Sequence, residues 1–163
     1  MTALDTDAVL RETLSKLHSE LSRYTYPLFA MDPRGRPELY ASSVVLECDS
    51  IPILVTASHA VAEITREGSP VYVGGRHVLP LPDDFVRSSE DGRDPLDIAA
   101  MRCPHGLLES GELEVLPYER TTPAGDFSNT PVRCIHGYPV NKNRQAERIN
   151  VAGATFSKYA FWS

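Results

Sequence analysis

Apolar residues recur at steps of four and three near the start of the chain, which is the spacing of one face of an α-helix. The positions of this stripe are Leu10, Leu14, Leu17, Leu21 and Tyr24. The pattern predicts an N-terminal helix within residues 1–25 that Pro27 ends. We expect the stripe to pack on the domain that follows, and a homodimer through this N-terminal helix is the alternative.

Beyond Pro27 the apolar residues form short runs that are separated by turn residues. The runs that predict strands lie at residues 28–31, 39–48, 51–56, 71–73, 77–81, 97–103, 113–116, 132–136 and 149–156. Residues 32–37 and the pair Gly74-Gly75 have the composition of hairpin connections. One brief helical turn follows Thr56. This spacing predicts a mainly β fold, a barrel or a sandwich, behind the N-terminal α-helix.

Two polar residues lie where apolar runs meet turns. His59 follows the apolar run 53–55, so that a general base there would have rigid backbone below it and an open face above it. Asp97 begins another apolar run, and an acid in that position can orient a histidine ring and stabilise its charged form. We predict that His59 and Asp97 form a catalytic pair, with Asp94 as the alternative acid.

The residues around both positions resemble motifs of trypsin-like serine peptidases. Thr-Ala-Ser-His-Ala-Val at 56–61 resembles the signature Thr-Ala-x-His-x-Val, and Asp-Ile-Ala at 97–99 resembles the motif that holds the family's aspartate. Ala-Ser-Ser-Val-Val at 41–45 resembles a Gly-Ser-Gly-Val-Val strand, and Gly-Tyr-Pro at 137–139 is similar to the opening of the second barrel in many bacterial members. The resemblance implies a chymotrypsin-like double β-barrel that hydrolyses protein or peptide substrates without a cofactor. It makes His59 the base and Asp97 its orienting acid.

This resemblance divides the chain into four parts. They are the N-terminal helix (1–25), a first β-barrel with the histidine and the aspartate (26–117), a linker (118–130) and the beginning of a second, incomplete β-barrel (131–163). The family's nucleophile lies in Gly-x-Ser-Gly-Gly, whose glycines allow backbone N–H groups to form the oxyanion hole. The printed sequence contains no such stretch.

None of the remaining serines or cysteines replaces that nucleophile. Ser128, Ser157 and Ser163 lack flanking glycines, Ser110 follows Asp97 too closely, and Cys134 also lacks the pattern. We therefore expect a truncated or processed fragment that is inactive alone and has its own C-terminal half as a partner. The alternatives are a catalytically inactive pseudopeptidase that serves as a binding module, and one half of a split protease.

A second constellation repeats the pattern Arg-Cys-x-His-Gly. Its members are Cys103, His105, Cys134 and His136. Residues i and i+2 of a strand point to the same side, so two adjacent strands could offer a Cys2His2 zinc site. The short Cys-x-His spacing and Pro104 disfavour this site. We expect the cysteines to be small core residues instead, and we expect no metal and no cofactor.

Charge and composition narrow the set of partners. The chain has 16 Lys+Arg against 22 Asp+Glu and a net charge of −6, and it has no basic run, so we expect neither nucleic acid nor an anionic membrane as a partner. No apolar run approaches the roughly 18 residues of a membrane span. The N-terminus lacks the features of a signal peptide, and three cysteines are too few for a disulfide framework. These features predict a cytoplasmic protein.

Overall fold

The computed structural model of the chain describes residues 6–75, 77–88, 95–121, 134–138, 149–150, 153–154 and 159–162. They form a mainly β structure with an N-terminal α-helix, which confirms the predicted fold class at this level. The helices are α1 (Thr6–Ser22), α2 (Ser58–Arg66) and α3 (His105–Glu109), with a 3₁₀ turn at Tyr118–Arg120. The strands are β1 (Thr25–Met31), β2 (Pro37–Cys48), β3 (Ile51–Ala57), β4 (Tyr72–Gly74), β5 (Val78–Pro80), β6 (Val86–Arg87), β7 (Ile98–Arg102), β8 (Cys134–Gly137), β9 (Ile149–Asn150), β10 (Gly153–Ala154) and β11 (Tyr159–Trp162).

Seven of these strands form one antiparallel sheet in the order β5-β4-β1-β2-β3-β7-β6. The sheet is open, and its edges β5 and β6 are only 3 and 2 residues long. Two further antiparallel pairs, β9 with β10 and β8 with β11, lie outside this sheet. The closed double barrel that the resemblance implies therefore stays a prediction.

The first strand begins earlier than the sequence predicts. α1 ends at Ser22, and Pro27 lies inside β1 opposite Ser42 instead of ending the helix. Proline has no N–H to donate to a neighbouring strand, and its ring lies against β4, where a Cβ on Gly74 would be 2.8 Å from Pro27 Cγ. The glycine therefore allows β4 to approach this proline, and β1 is buried at every position except its last.

The core lies between the sheet and α2. The strand register places Leu54 of β3 beside Val45 of β2 and Met101 of β7, and all three side chains are buried. Ala60 and Ile64 of α2 belong to the same buried cluster. Because close-packed side chains leave little room for displacement, this packing fixes the end of β3 and the beginning of α2 against β2 and β7.

Several short elements differ from the sequence prediction. β6 and α3 were not predicted, because β6 has only two residues and the exposed Val86 within it has no alternating apolar neighbours. The run at 113–116 forms a single bridge, from Leu116 to Leu46, rather than a strand. Most of the predicted linker at 118–130 lies outside the described residues.

The last turns of α1 pack against the rest of the chain. Leu14 and Tyr24 are buried, whereas Leu17 is 40% exposed. Arg23 Nη2 lies 2.6 Å from Glu114 Oε2 and connects the segment after the helix to the loop before the 3₁₀ turn. These contacts agree with packing on the chain's own domain, and the homodimer stays a prediction. Among the described residues, no helix is both long and apolar enough to cross a membrane.

Candidate active site

The end of β3 brings His59 and Asp97 together. β3 pairs with β2 on one side and with β7 on the other, and its last residue, Ala57, lies opposite Ile98. Asp97 directly precedes Ile98, and His59 is the second residue of α2, which begins where β3 ends. The antiparallel register therefore places two residues that are 38 positions apart in the sequence side by side.

Asp97 contacts His59 with both carboxylate oxygens. The backbone N–H of His59 donates to Asp97 Oδ1 at 2.9 Å, and Nδ1 lies 2.6 Å from Oδ2. The backbone N–H of Ser58 also donates to the carbonyl oxygen of Asp97, at 3.0 Å. Asp97 has a φ of +48°, a left-handed conformation that aspartate adopts more readily than most residues. These three contacts hold it there.

The contact also selects one tautomer of the histidine. An ionised carboxylate only accepts hydrogen bonds, so Nδ1 must bear the proton that it donates to Asp97. In the neutral imidazole this leaves the lone pair on Nε2, which is the arrangement that a general base requires. The His59 side chain is 69% exposed and that of Asp97 is 42% exposed. The pair is thus more open to water than the Ser-His-Asp triad of the serine peptidases that the motifs resemble, in which the aspartate is buried.

Part of this arrangement is also what a helix cap would need. The first N–H groups of a helix have no partner within it, and Ala57, the N-cap of α2, makes no side-chain capping bond. Asp97, the residue before β7, supplies those acceptors instead. Capping accounts for the contacts to the backbone of Ser58 and His59, but it does not require the contact between Oδ2 and Nδ1.

A second histidine–carboxylate pair, which the sequence analysis missed, has the same double contact. The backbone N–H of His77 donates to Glu112 Oε2 at 2.9 Å, and its Nδ1 lies 2.6 Å from Oε1. The Glu112 side chain is only 10% exposed, and it anchors the connection between β4 and β5 to the loop after α3. No peptidase motif surrounds this pair. A double contact of this kind therefore supports catalysis only together with other observations.

Gly75 allows the second pair to form, and this leads to a stability prediction. A Cβ at position 75 would lie 2.6 Å from the carbonyl oxygen of Glu112. Gly75→Ala should therefore lower the free energy of unfolding by about 1–3 kcal/mol, the usual cost of overpacking. The matched control is Gly106→Ala in α3, where a Cβ would meet nothing within 4 Å. The control should raise stability by about 0.5–1 kcal/mol. Urea denaturation measures the free energy of unfolding of both variants, and equal effects would contradict the close approach of Gly75 to Glu112.

A cleft of about 880 Å³ opens beside His59. Its walls come from the hairpin between β1 and β2 and from α2 with the residues that follow it. Four carboxylates line it, those of Asp32, Glu38, Glu63 and Glu67. A volume of this size is within the range of ligand sites, roughly 300–1,000 Å³. The candidate base thus faces a space that is large enough for several residues of a polypeptide.

No family model, curated protein or solved structure gives a significant match to this chain. The interpretation of the site therefore depends on the motifs in the sequence and on the geometry of the residues themselves.

No described serine has a hydrogen bond to the ring of His59, whose described hydrogen-bond partner is Asp97. Ser69 lines the same cleft, but it follows the far end of α2, and the rise of about 1.5 Å per residue from position 59 to position 66 alone spans about 10 Å of helix. Ser110 Oγ donates to the carbonyl oxygen of Leu107. The sequence candidates Ser128, Ser157 and Ser163 lie outside the described residues, as does the alternative acid Asp94.

The four residues of the disfavoured zinc alternative do not lie on two adjacent strands. β7 ends at Arg102 and His105 begins α3, so Cys103 and His105 are not on one strand as that alternative would require. Burial raises the pKa of the Cys103 thiol to about 11, so this side chain is a protonated core residue at neutral pH. His105 Nδ1 lies 3.6 Å from Glu109.

His136 lies between α1 and β1, where its ring nitrogens contact the hydroxyls of Ser22 and Thr25, each at 3.1 Å. The backbone of Cys134 is in β8, but its side chain is outside the described part of the chain. Among the side chains that the structure describes, no three His, Cys, Asp or Glu residues are placed to hold a metal ion.

Proposed function

We propose that this chain is the part of a trypsin-like serine peptidase that contains the histidine and the aspartate, and that the complete peptidase hydrolyses peptide bonds in protein or peptide substrates. The observation on which the proposal depends is the paired contact between Asp97 and His59 at the positions where the sequence resembles the family's two motifs. The cleft beside His59 adds a place for substrate. The second pair, His77 with Glu112, lacks both the motifs and this cleft.

In this mechanism His59 first accepts a proton as general base and then donates it as general acid. Nε2 takes the proton from a serine hydroxyl as that oxygen bonds to the carbonyl carbon of the substrate. His59 then gives the proton to the leaving amine as the C–N bond breaks, and a water molecule repeats the sequence to release the acyl group. Asp97 keeps Nδ1 as the donor throughout and stabilises the imidazolium that forms. No metal or organic cofactor enters these steps.

The nucleophile and the oxyanion hole come from another segment in this proposal. The printed sequence has no Gly-x-Ser-Gly-Gly, and His59 and Asp97 are both more than one third exposed. A second barrel that covers them would exclude water and supply the serine. We propose that the open seven-stranded sheet is the first barrel, and that β8 and β11 belong to the start of the second.

A binding module is the second candidate function. Two observations favour it, the exposure of His59 and Asp97 and the lack of a Gly-x-Ser-Gly-Gly stretch in the printed sequence. A site that is open to water and has no nucleophile can bind polypeptide without cleaving it. In that case Asp97 would be a helix cap for α2, and the cleft would be the functional surface.

A fluorophosphonate probe distinguishes these two functions, because it reacts with serine hydroxyls that a base has activated. The chain would be tagged in the cells that produce it, isolated under mild conditions with whatever polypeptide continues it or binds it, and treated with the probe. The purified 163-residue chain serves as the matched control. The peptidase proposal expects labelling of a serine in the isolated assembly and none in the control. Absence of labelling in both samples would support the binding module.

A further inference from the structure

The peptide bond between Asp97 and Ile98 is held at both ends by other elements. Its carbonyl oxygen, which belongs to Asp97, accepts the backbone N–H of Ser58 at 3.0 Å. Its N–H, which belongs to Ile98, donates to Ser88 Oγ at 2.9 Å. Because a peptide unit is a rigid plane, these two contacts together fix its orientation. The orientation of this plane in turn fixes the backbone from which the Asp97 carboxylate extends toward His59.

The Ser88 hydroxyl takes the place of a backbone carbonyl at the end of β6. The register places Arg87 opposite Ala99, so Ser88 and Ile98 form the next pair along. The backbone N–H of Ser88 donates to the carbonyl oxygen of Ile98 at 2.8 Å, and the hydroxyl donates to the same oxygen at 2.9 Å. In a continued antiparallel ladder the N–H of Ile98 would donate to the carbonyl of Ser88. Here it donates to the side chain, because a hydroxyl can accept as well as donate.

The backbone conformation of Asp97 explains why this support matters. Its φ of +48° lies in the left-handed region, which few residues other than glycine adopt. Such a conformation persists only where the surrounding contacts hold it, and it is typical of functional sites. Ser58 and His59 hold Asp97 from the side of α2. Ser88 holds the following peptide from the side of β6, which is only two residues long.

A serine at this position could also serve only to end the pairing of β6 with β7. That role would account for the contact with the carbonyl oxygen of Ile98, which the backbone N–H of Ser88 contacts as well. It does not require the contact between the hydroxyl and the N–H of Ile98. That N–H lies in the same peptide plane as the carbonyl of Asp97, so the contact acts on the candidate site.

We propose that Ser88 is a positioning residue for the candidate base, and that it acts through the Asp97–Ile98 peptide by holding the carboxylate against Nδ1 of His59. Without the hydroxyl the peptide plane can rotate, and the carboxylate spends less time against Nδ1. A larger fraction of the neutral imidazole then bears its proton on Nε2, where a general base needs its lone pair. The effect of Ser88 on cleavage rests on the proposed peptidase function, whereas its effect on the imidazole can be measured on the chain alone.

Ser88→Ala removes the hydroxyl and keeps the backbone N–H, and because this side chain is exposed, the variant should fold like the unmodified chain. Nitrogen-15 NMR at a pH where the imidazole is neutral should show a smaller Nδ1–H fraction for His59. Ser88→Thr keeps a hydroxyl and suits a strand, so it should restore that fraction. The matched control is Ser110→Ala, which removes an exposed hydroxyl that donates to the carbonyl oxygen of Leu107. An unchanged fraction in Ser88→Ala, or an equal decrease in the control, would overturn the proposal.

A second measurement follows peptide cleavage by the isolated assembly that contains the nucleophile. Ser88→Ala should lower kcat about 3–10-fold, which corresponds to one ordinary hydrogen bond, with little change in KM, because Ser88 does not line the cleft. In Asp97→Asn the carboxylate is already lost, so the added Ser88→Ala should lower cleavage little further. Losses that multiply in the double variant would show that Ser88 acts independently of Asp97, which would overturn the proposal.

The two measurements separate this positioning role from the peptidase function. If Ser88→Ala lowers the Nδ1–H fraction but no assembly cleaves peptide, the peptidase function fails and the positioning role stands. If the unmodified assembly cleaves peptide and Ser88→Ala changes neither the fraction nor kcat, the positioning role fails and the peptidase function stands.

Discussion

Asp97→Asn should lower peptide cleavage by the nucleophile-containing assembly about 10⁴-fold, the loss that the same change causes in the serine-peptidase template. The reason is the double contact with His59, whose backbone N–H and Nδ1 face the two carboxylate oxygens. An asparagine has one acceptor oxygen and one donor nitrogen at those positions. Its nitrogen must face one of two N–H groups unless the imidazole changes its tautomer, which would remove the lone pair from Nε2.

The asparagine variant tests this role with little disturbance of the backbone. Asp97 has a φ of +48°, and asparagine tolerates the left-handed region as well as aspartate does. An alanine would add backbone strain of about 1–3 kcal/mol to the loss of the carboxylate. Asp49→Asn is the matched control, because Asp49 also has a positive φ, of 49°, but lies in the exposed turn between β2 and β3. The control should retain full activity.

A second readout separates the positioning of His59 from a purely structural role of Asp97. Nitrogen-15 NMR of the chain alone reports which ring nitrogen of the neutral imidazole bears the proton. We expect Nδ1–H in the unmodified chain and in Asp49→Asn, and a shift toward Nε2–H in Asp97→Asn. A capping role alone would leave the tautomer unchanged, and unchanged cleavage in Asp97→Asn would contradict the catalytic assignment.

His59→Ala should lower peptide cleavage by the nucleophile-containing assembly more than Asp97→Asn does, by up to about 10⁶-fold.

Strand positions in the first half of the chain could be predicted because short apolar runs and turn residues determine them locally. β3, for example, was predicted at 51–56 and is found at Ile51–Ala57. The meeting of His59 with Asp97 was predictable only through the two motifs, because the register that brings Ala57 opposite Ile98 depends on packing between distant segments. Pro27 shows the same limit, since a proline that normally ends a helix lies here inside a buried strand beside Gly74.

The acidic cleft was missed for a different reason. Glu63 lies four residues after His59, a spacing that predicts one helix face, but the helix was expected to be only a brief turn. Glu38 and Tyr40 show the alternation of a strand. Nothing in the local pattern indicates that this strand faces α2 across a cleft. The pair of His77 and Glu112 is 35 residues apart and has no local signal at all.

Leu54→Ala should lower the free energy of unfolding by about 3 kcal/mol, within the range for deletion of a fully buried leucine. Leu54 is 0% exposed, and the register places it between Val45 and Met101, both of which are buried. The pairing of β3 with β2 and with β7 holds these neighbours in place, so they cannot move far to fill the cavity. We therefore expect little relaxation around the cavity and a correspondingly large loss in the free energy of unfolding. Since a domain is stable by only about 5–15 kcal/mol, this is a large fraction of the total.

The matched control for this core position is Ile51→Ala at the start of the same strand, where the side chain is 40% exposed. The control should cost less than about 1 kcal/mol, because less apolar surface is lost from the interior. Urea denaturation followed by circular dichroism measures both, and the m-value should stay constant if only stability changes. Equal losses in the two variants would show that β3 is not the centre of the core. The strand would then lack the rigid support that holds His59 against Asp97, because both residues are placed by the pairing of β3 with β7.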